Sequence, residues 1–146
     1  GGVARLMEEL KNPPVHHKTW GDAIFCVFDR VDDAGLFALN LRDFVSHARW
    51  SKWNLPPLQI RIGLHAGPVI PCYDPVLKKM TYNGAHVNRT ARIEPIAEEG
   101  QIYASESFAA LAASDGVTEF TCDYVGTKQL AKRYATLPVF LVRRTV

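Results

Sequence analysis

Apolar residues change their spacing several times along this chain, and each change marks an element. Val3 to Leu10 predicts the end of a helix, which Asn12-Pro13-Pro14 stops. His16 to Phe28 predicts two strands joined by a tight turn at Trp20-Gly21-Asp22. The run Ala23-Ile24-Phe25-Cys26-Val27-Phe28 is apolar throughout and rich in β-formers, which predicts a central strand buried on both faces. Asp32-Asp33 offers a cap for the next helix, whose face carries Leu36, Phe37, Leu41, Phe44, Val45 and Ala48 and which ends near Trp50. Leu58, Ile60, Ile62 and Leu64 alternate with Gln59, Arg61 and Gly63, the pattern of a strand with one face on a core.

Gly67-Pro68 then turns the chain. Val69 to Tyr82 is broken by Pro71 and Asp74-Pro75 and reads as a protruding hairpin. Gly84 to Ala97 is helical, with Pro95 ending it early. Gly100 to Ala104 is a short strand, Ser105 caps a helix over Glu106 to Ala113, and Gly116 suits its C-terminal cap. Phe120 to Val125 and Leu137 to Val142 are closing strands joined by a basic loop. Strands interleaved with helices, without repeats, predict one α/β or α+β domain.

Composition narrows the class. The 146 residues are 47% hydrophobic and 22% charged, enough for one globular core. No apolar run approaches the roughly 20 residues that cross a bilayer, and the first residues lack a signal-peptide pattern. A cytoplasmic setting is expected, alone or as a module of a larger, membrane-anchored protein. The three cysteines, Cys26, Cys72 and Cys122, are odd in number and far apart, so neither a disulfide framework nor a zinc site is indicated. A net charge of +2 is too small to argue for nucleic acid or a membrane surface.

Three segments carry chemistry. Lys18-Thr19-Trp20-Gly21-Asp22-Ala23-Ile24-Phe25 forms the first, Arg61-Ile62-Gly63-Leu64-His65-Ala66-Gly67-Pro68-Val69 the second, and Tyr82-Asn83-Gly84-Ala85-His86-Val87-Asn88-Arg89-Thr90-Ala91-Arg92-Ile93-Glu94 the third. In order and spacing they resemble the KTxGD hairpin, the RIGIHTGPV strand and the GxxVNxAxR helix of class III adenylyl/guanylyl cyclase catalytic domains. Gly100-Gln101-Ile102 and Ser105-Glu106 follow where that family has GQI and SE. The resemblance runs over roughly residues 5 to 142. It implies an α+β sandwich with a ferredoxin-like core, in which helices flank a central, mainly antiparallel sheet. Residues 1–146 would then be a single catalytic domain. The family also has an earlier strand bearing an Asp, absent from this sequence, so the domain is expected to be incomplete at its N-terminus and to lack one of two metal ligands.

The reaction implied is attack of the ribose 3′-hydroxyl of ATP on the α-phosphate, with loss of pyrophosphate. Two Mg²⁺ or Mn²⁺ ions would assist it. Asp22 is the candidate metal ligand, although the Gly-Asp dipeptide alone reads as turn chemistry. Lys18 and Thr81 match the base-reading pair: a Lys donates to adenine N1 and a Thr hydroxyl accepts from the exocyclic amine. Guanylyl-specific members carry Glu and a small residue there, so the pair implies ATP. Thr at the second position marks a subgroup associated with bicarbonate stimulation. Asn88 and Arg92, four apart on one helix face, match the residues that orient the ribose and hold the phosphates in the transition state. Lys132 resembles the lysine of the terminal phosphates, with Lys128 and Arg133 as competitors. Arg89 lies off the face of Asn88 and Arg92 and reads as surface.

In the family the metal carboxylates come from one subunit and the remaining groups from its twin. A chain with members of both sets implies a homodimer with two shared sites, and Tyr73 to Met80 is the candidate arm. His16, His17, His65 and His86 lack metal-ligand spacing and read as structural. A second reading stays open: a non-catalytic nucleotide-binding or regulatory module of the same fold. A diguanylate cyclase is disfavoured, since no GG(D/E)EF signature is present.

Overall fold

Strand pairing follows from which residues of each strand are apolar on both sides and which on one. The computed structural model describes residues 13–20 and 23–145. Within them lies a four-stranded sheet ordered β3 (Ile62–Leu64), β6 (Ile102–Ser105), β8 (Thr136–Arg144), β7 (Phe120–Gln129). β3 runs parallel to β6, and β6 and β7 each pair antiparallel with β8. Two hairpins stand apart from it, β1 (His16–Trp20) with β2 (Ala23–Val27), and β4 (Ile70–Asp74) with β5 (Lys79–Asn83). The helices are α1 (Val31–His47), α2 (Ala85–Ile93) and α3 (Glu106–Ser114). This is the expected α+β architecture.

Alternation along β6 and β8 sorts the core into two layers. Ile102 and Ala104 of β6 and Val142 of β8 pack with Val31, Ala38 and Leu39 of α1 and Phe108 and Ala112 of α3. Their neighbours Tyr103 and Val139 point the other way, onto Ile93 of α2 with Ala97 and Leu130. A third cluster joins the β1–β2 hairpin to α2 through Phe25, Val27 and Val87. α2 is therefore held at both ends, by Val87 on the hairpin and Ile93 on the sheet. At its C-terminal end it approaches β3 so closely that a Cβ on Gly63 would sit 2.6 Å from the backbone nitrogen of Glu94.

Several expectations are met, others corrected. Ser105 caps α3, accepting from the Phe108 amide at 3.2 Å, and Val69 to Tyr82 is indeed a hairpin. β2 is not a strand buried on both faces: its buried residues are Phe25 and Val27, while Ile24 is 45% exposed. The face of Phe25 and Val27 meets a core, through Val87 of α2, while the face of Ile24 is open. Asp32 and Asp33 sit inside the first turn of α1 and do not cap it; the N-cap is Arg30. Asp32 instead pairs with the Arg30 guanidinium at 3.0 Å, and acidic groups there still face the positive end of the helix. The strand expected over Leu58 to Leu64 is three residues long, since Leu58 is exposed and pairing with β6 begins at Ile62. Phe44, placed on the core face of α1, is exposed as well. The helix expected over Val3 to Leu10 lies outside the described residues.

Candidate functional site

The site is assembled from three places that α2 draws together. The first is the β1–β2 hairpin. Lys18 pairs across it with Phe25, whose buried ring docks on Val87 of α2. The second is β5, which runs straight into α2 and carries Thr81. The third is the connection between β7 and β8, where a single helical turn spans Ala131–Arg133 and packs against α2.

Lys18 and Thr81, 63 residues apart in sequence, meet here: Lys18 Nζ donates to Thr81 Oγ1 at 3.4 Å. Thr81 is only 3% exposed, which rules out a merely solvated side chain in an irregular loop. Cys72 stands opposite it across the hairpin. His16 lies between Phe25 and Tyr82, with ring centroids 6.3 Å and 5.1 Å away. Burial, and then the charges of Lys18, Lys79 and His17, hold its pKa below the usual histidine value. The corner around Lys18 and Thr81 is thus rich in positive charge.

Asn88 and Arg92 lie one turn apart on α2, Asn88 exposed and Arg92 half-buried. Their helix keeps Val87 and Ile93 for its buried face, which is why this pair remains accessible. Lys132 is exposed, in a left-handed backbone conformation with φ 56°, and Arg133 follows with φ 54°. Two such residues in succession carry strain of order 1–2 kcal/mol each, so the turn is held by its surroundings. Lys128 points from β7 and is half-buried. Asp22, the expected metal ligand, lies outside the described residues. Among those described, no three His, Cys, Asp or Glu side chains converge to hold a metal.

Sequence spacing missed two contacts. Arg89 is not a surface residue: its guanidinium lies 5.9 Å from the centroid of the Tyr134 ring, and its Nε is buried. This joins α2 to the segment after Lys132 and Arg133. His65 and His86 touch each other, with His65 Nε2 2.8 Å from His86 Nδ1. Burial, His86 and Arg89 push the pKa of His65 down to about 4. Neither contact leaves a local signature, because its members lie 45 and 21 residues apart. The cysteines are free; burial raises the thiols of Cys26 and Cys122 to about 11, with Asp123 adding to the effect at Cys122. Such thiols are unreactive at neutral pH. No described helix is long and apolar enough to cross a membrane.

Comparison with known proteins identifies the family and the fold. Residues 5–141 match the family model described as the adenylate and guanylate cyclase catalytic domain. An uncharacterised protein of Mycobacterium tuberculosis is 35% identical over 85 residues, covering 58% of this chain and 25% of that protein. An adenylate cyclase of Podospora anserina is 31% identical over 110 residues, covering 64% of this chain and 5% of its own length. The chain therefore spans a quarter or less of these relatives. The guanylate cyclase domain of RhGC from Catenaria anguillulae, solved in complex with GTP, superposes with a TM-score of 0.80 at 21% identity, covering 99% of this chain and 79% of that one.

Proposed function

This chain belongs to the adenylate and guanylate cyclase catalytic domain family, and we propose that it acts as an adenylyl cyclase, converting ATP to cyclic AMP and pyrophosphate in a homodimer. The observation that carries the choice of ATP is the hydrogen bond between Lys18 and Thr81. An ammonium beside a hydroxyl matches the edge of adenine, which accepts at N1 and donates from its amine. Guanine presents the reverse pattern, a donor at N1 and an acceptor at O6. Thr81 is buried beneath its lysine, so the base reaches the hydroxyl as Lys18 turns its Nζ toward N1.

Asn88 would orient the ribose through its amide. Arg92 would hold phosphate oxygens with its planar, permanently charged fork as negative charge shifts toward the leaving group. Lys132 would hold the terminal phosphates. In the step itself the 3′-oxygen bonds to the α-phosphorus, the bond to the bridging oxygen breaks, the hydroxyl proton is lost to solvent and pyrophosphate departs. Divalent cations, Mg²⁺ or Mn²⁺, would neutralise the triphosphate and lower the pKa of the hydroxyl. Asp22 is the residue of this chain proposed to hold them.

The dimer is supported by the β4–β5 hairpin, whose Ile70, Tyr73, Val76, Leu77 and Met80 are all exposed. Apolar surface gathered on one projecting arm is costly in water and suits a twin surface. We place residues 1–146 within one catalytic domain, and its Thr81 subgroup suggests stimulation by bicarbonate.

The test incubates the protein with ATP or GTP and Mn²⁺, with and without bicarbonate, beside Asp22→Ala and Arg92→Ala. Cyclic AMP is expected from the wild type, with turnover reduced about 10²-fold or more in Arg92→Ala. Equal product from all three proteins would overturn the site. Nucleotide binding without any product would favour the regulatory module.

A further inference from the structure

Two histidine rings, one following the sheet and one from α2, meet at the first turn of the helix that carries Asn88 and Arg92. His65 comes directly after β3, and His86 is the second residue of α2. The rings stack with centroids 5.0 Å apart and planes 26° from parallel, and Nε2 of His65 faces Nδ1 of His86 at 2.8 Å. On its other side, His65 Nδ1 lies 2.7 Å from Ser105 Oγ and 3.2 Å from Ser107 Oγ. Ser107 donates its hydroxyl proton to the Ala66 carbonyl at 2.8 Å, so toward His65 it accepts. The backbone closes the remaining side, since a Cβ on Gly67 would sit 2.3 Å from His86 Nδ1. A ring held by another ring and by bare backbone has little room to drift.

Proton counting shows what this contact tolerates. Between Nε2 and Nδ1 there is space for one hydrogen. Either ring can supply it while both are neutral, and a single added proton can be placed on His65 Nδ1, facing the serines, or on the outer nitrogen of His86. A second added proton sets two N–H groups against each other, and the bond is lost. Among the described residues, the sheet and α3 offer His65 the hydroxyls of Ser105 and Ser107. The charges bearing on it, His86 and Arg89, both come from α2 and both oppose further protonation.

Resting on the cyclase reading above, we propose that His65 and His86 are a positioning pair for Asn88 and Arg92: one shared proton pins the first turn of α2 to the ends of β3 and β6, and full protonation of both rings releases it. Neither ring touches substrate in this account. Asn88 lies two residues beyond His86, and its amide closes the same turn by bonding the Gly84 carbonyl at 3.0 Å. A shift of the ring therefore passes directly to the ribose-holding side chain, where small misplacements carry large losses of rate.

The test uses His86→Ala, which removes the facing nitrogen, and His86→Asn, which returns an amide near the position of Nδ1 but does not titrate. With ATP, His86→Ala is expected to lower kcat about 10-fold or more with KM within about 2-fold. His86→Asn is expected to restore most of kcat and to lose part of the acid limb of the wild-type pH profile. Wild-type kcat in His86→Ala, or equal losses in both variants with the acid limb unmoved, would overturn the proposal. A second readout needs no turnover. In nuclear magnetic resonance spectra of the wild-type protein recorded as pH falls, the backbone amides of Asn88 and Arg92 should shift together with the loss of the bond between the two rings. If they stay fixed, the pair does not position them. A wild-type protein that yields no cyclic nucleotide refutes the cyclase reading instead, and the amide shifts then decide on the pair alone.

Discussion

Lys18 and Thr81 come from different hairpins, so their meeting tests base recognition one side chain at a time. Losing a hydrogen bond to a charged group costs about 1.5–3 kcal/mol, or roughly 10- to 100-fold. Lys18→Glu combined with Thr81→Cys should therefore raise the ratio of kcat/KM for GTP over ATP by about 10²-fold, measured as cyclic product from each nucleotide. An unchanged ratio would remove the pair from base reading. His65 gives a separate residue-scale prediction. Its pKa is about 6.5 unfolded and about 4 folded, so the unfolded chain binds the extra proton first. The stabilising contribution is complete above pH 6.5 and disappears as pH falls toward 4. The thermal midpoint of the wild type should drop over that window by more than that of His65→Gln, whose amide does not titrate. Parallel curves would contradict the low value.

At the scale of elements, Ser105 has two tasks. Its hydroxyl accepts from the Phe108 amide to cap α3 and lies against His65. Ser105→Ala should cost about 1 kcal/mol for the cap, with a further loss at His65, read as a fall in thermal midpoint larger than that of Ser107→Ala. The cap was visible in the sequence because capping is local: Ser105 precedes Glu106 and an apolar run. Most elements were legible for the same reason, including the β4–β5 hairpin, the early end of α2 at Pro95 and the short β6. What spacing could not supply was neighbours. β2 has the composition of a strand buried on both sides, yet burial depends on what pairs with it, and Leu58 has the phase of a strand without a partner. Of the candidate site, Lys18, Thr81, Asn88 and Arg92 were named through motif resemblance, and the structure brings the first two together. The contacts of Arg89 with Tyr134 and of His65 with His86 depend on pairs distant in sequence, which leave no periodic trace.

For the molecule as a whole, the proposed division of labour between two copies predicts complementation. Asp22→Ala and Arg92→Ala should each be nearly inactive alone. Mixed in equal amounts they should recover about a quarter of wild-type activity, because half of the dimers are mixed and each of those keeps one intact site of two. No recovery, with exchange of subunits shown independently, would place both residues in the same half. Val76→Glu, at the most exposed apolar position of the arm at 86%, should shift the protein toward monomer in sedimentation without lowering its melting temperature. A dimer as stable as the wild type would exclude the arm from the contact.

On the proposed dimer, the greasy arm would also tie output to abundance. Wherever the concentration of chain lies near the dissociation constant for pairing, each molecule added finds a mate and awakens one already present, so signal climbs faster than supply. Dilution silences such a system without any inhibitor, and tethering two copies side by side would hold it permanently on.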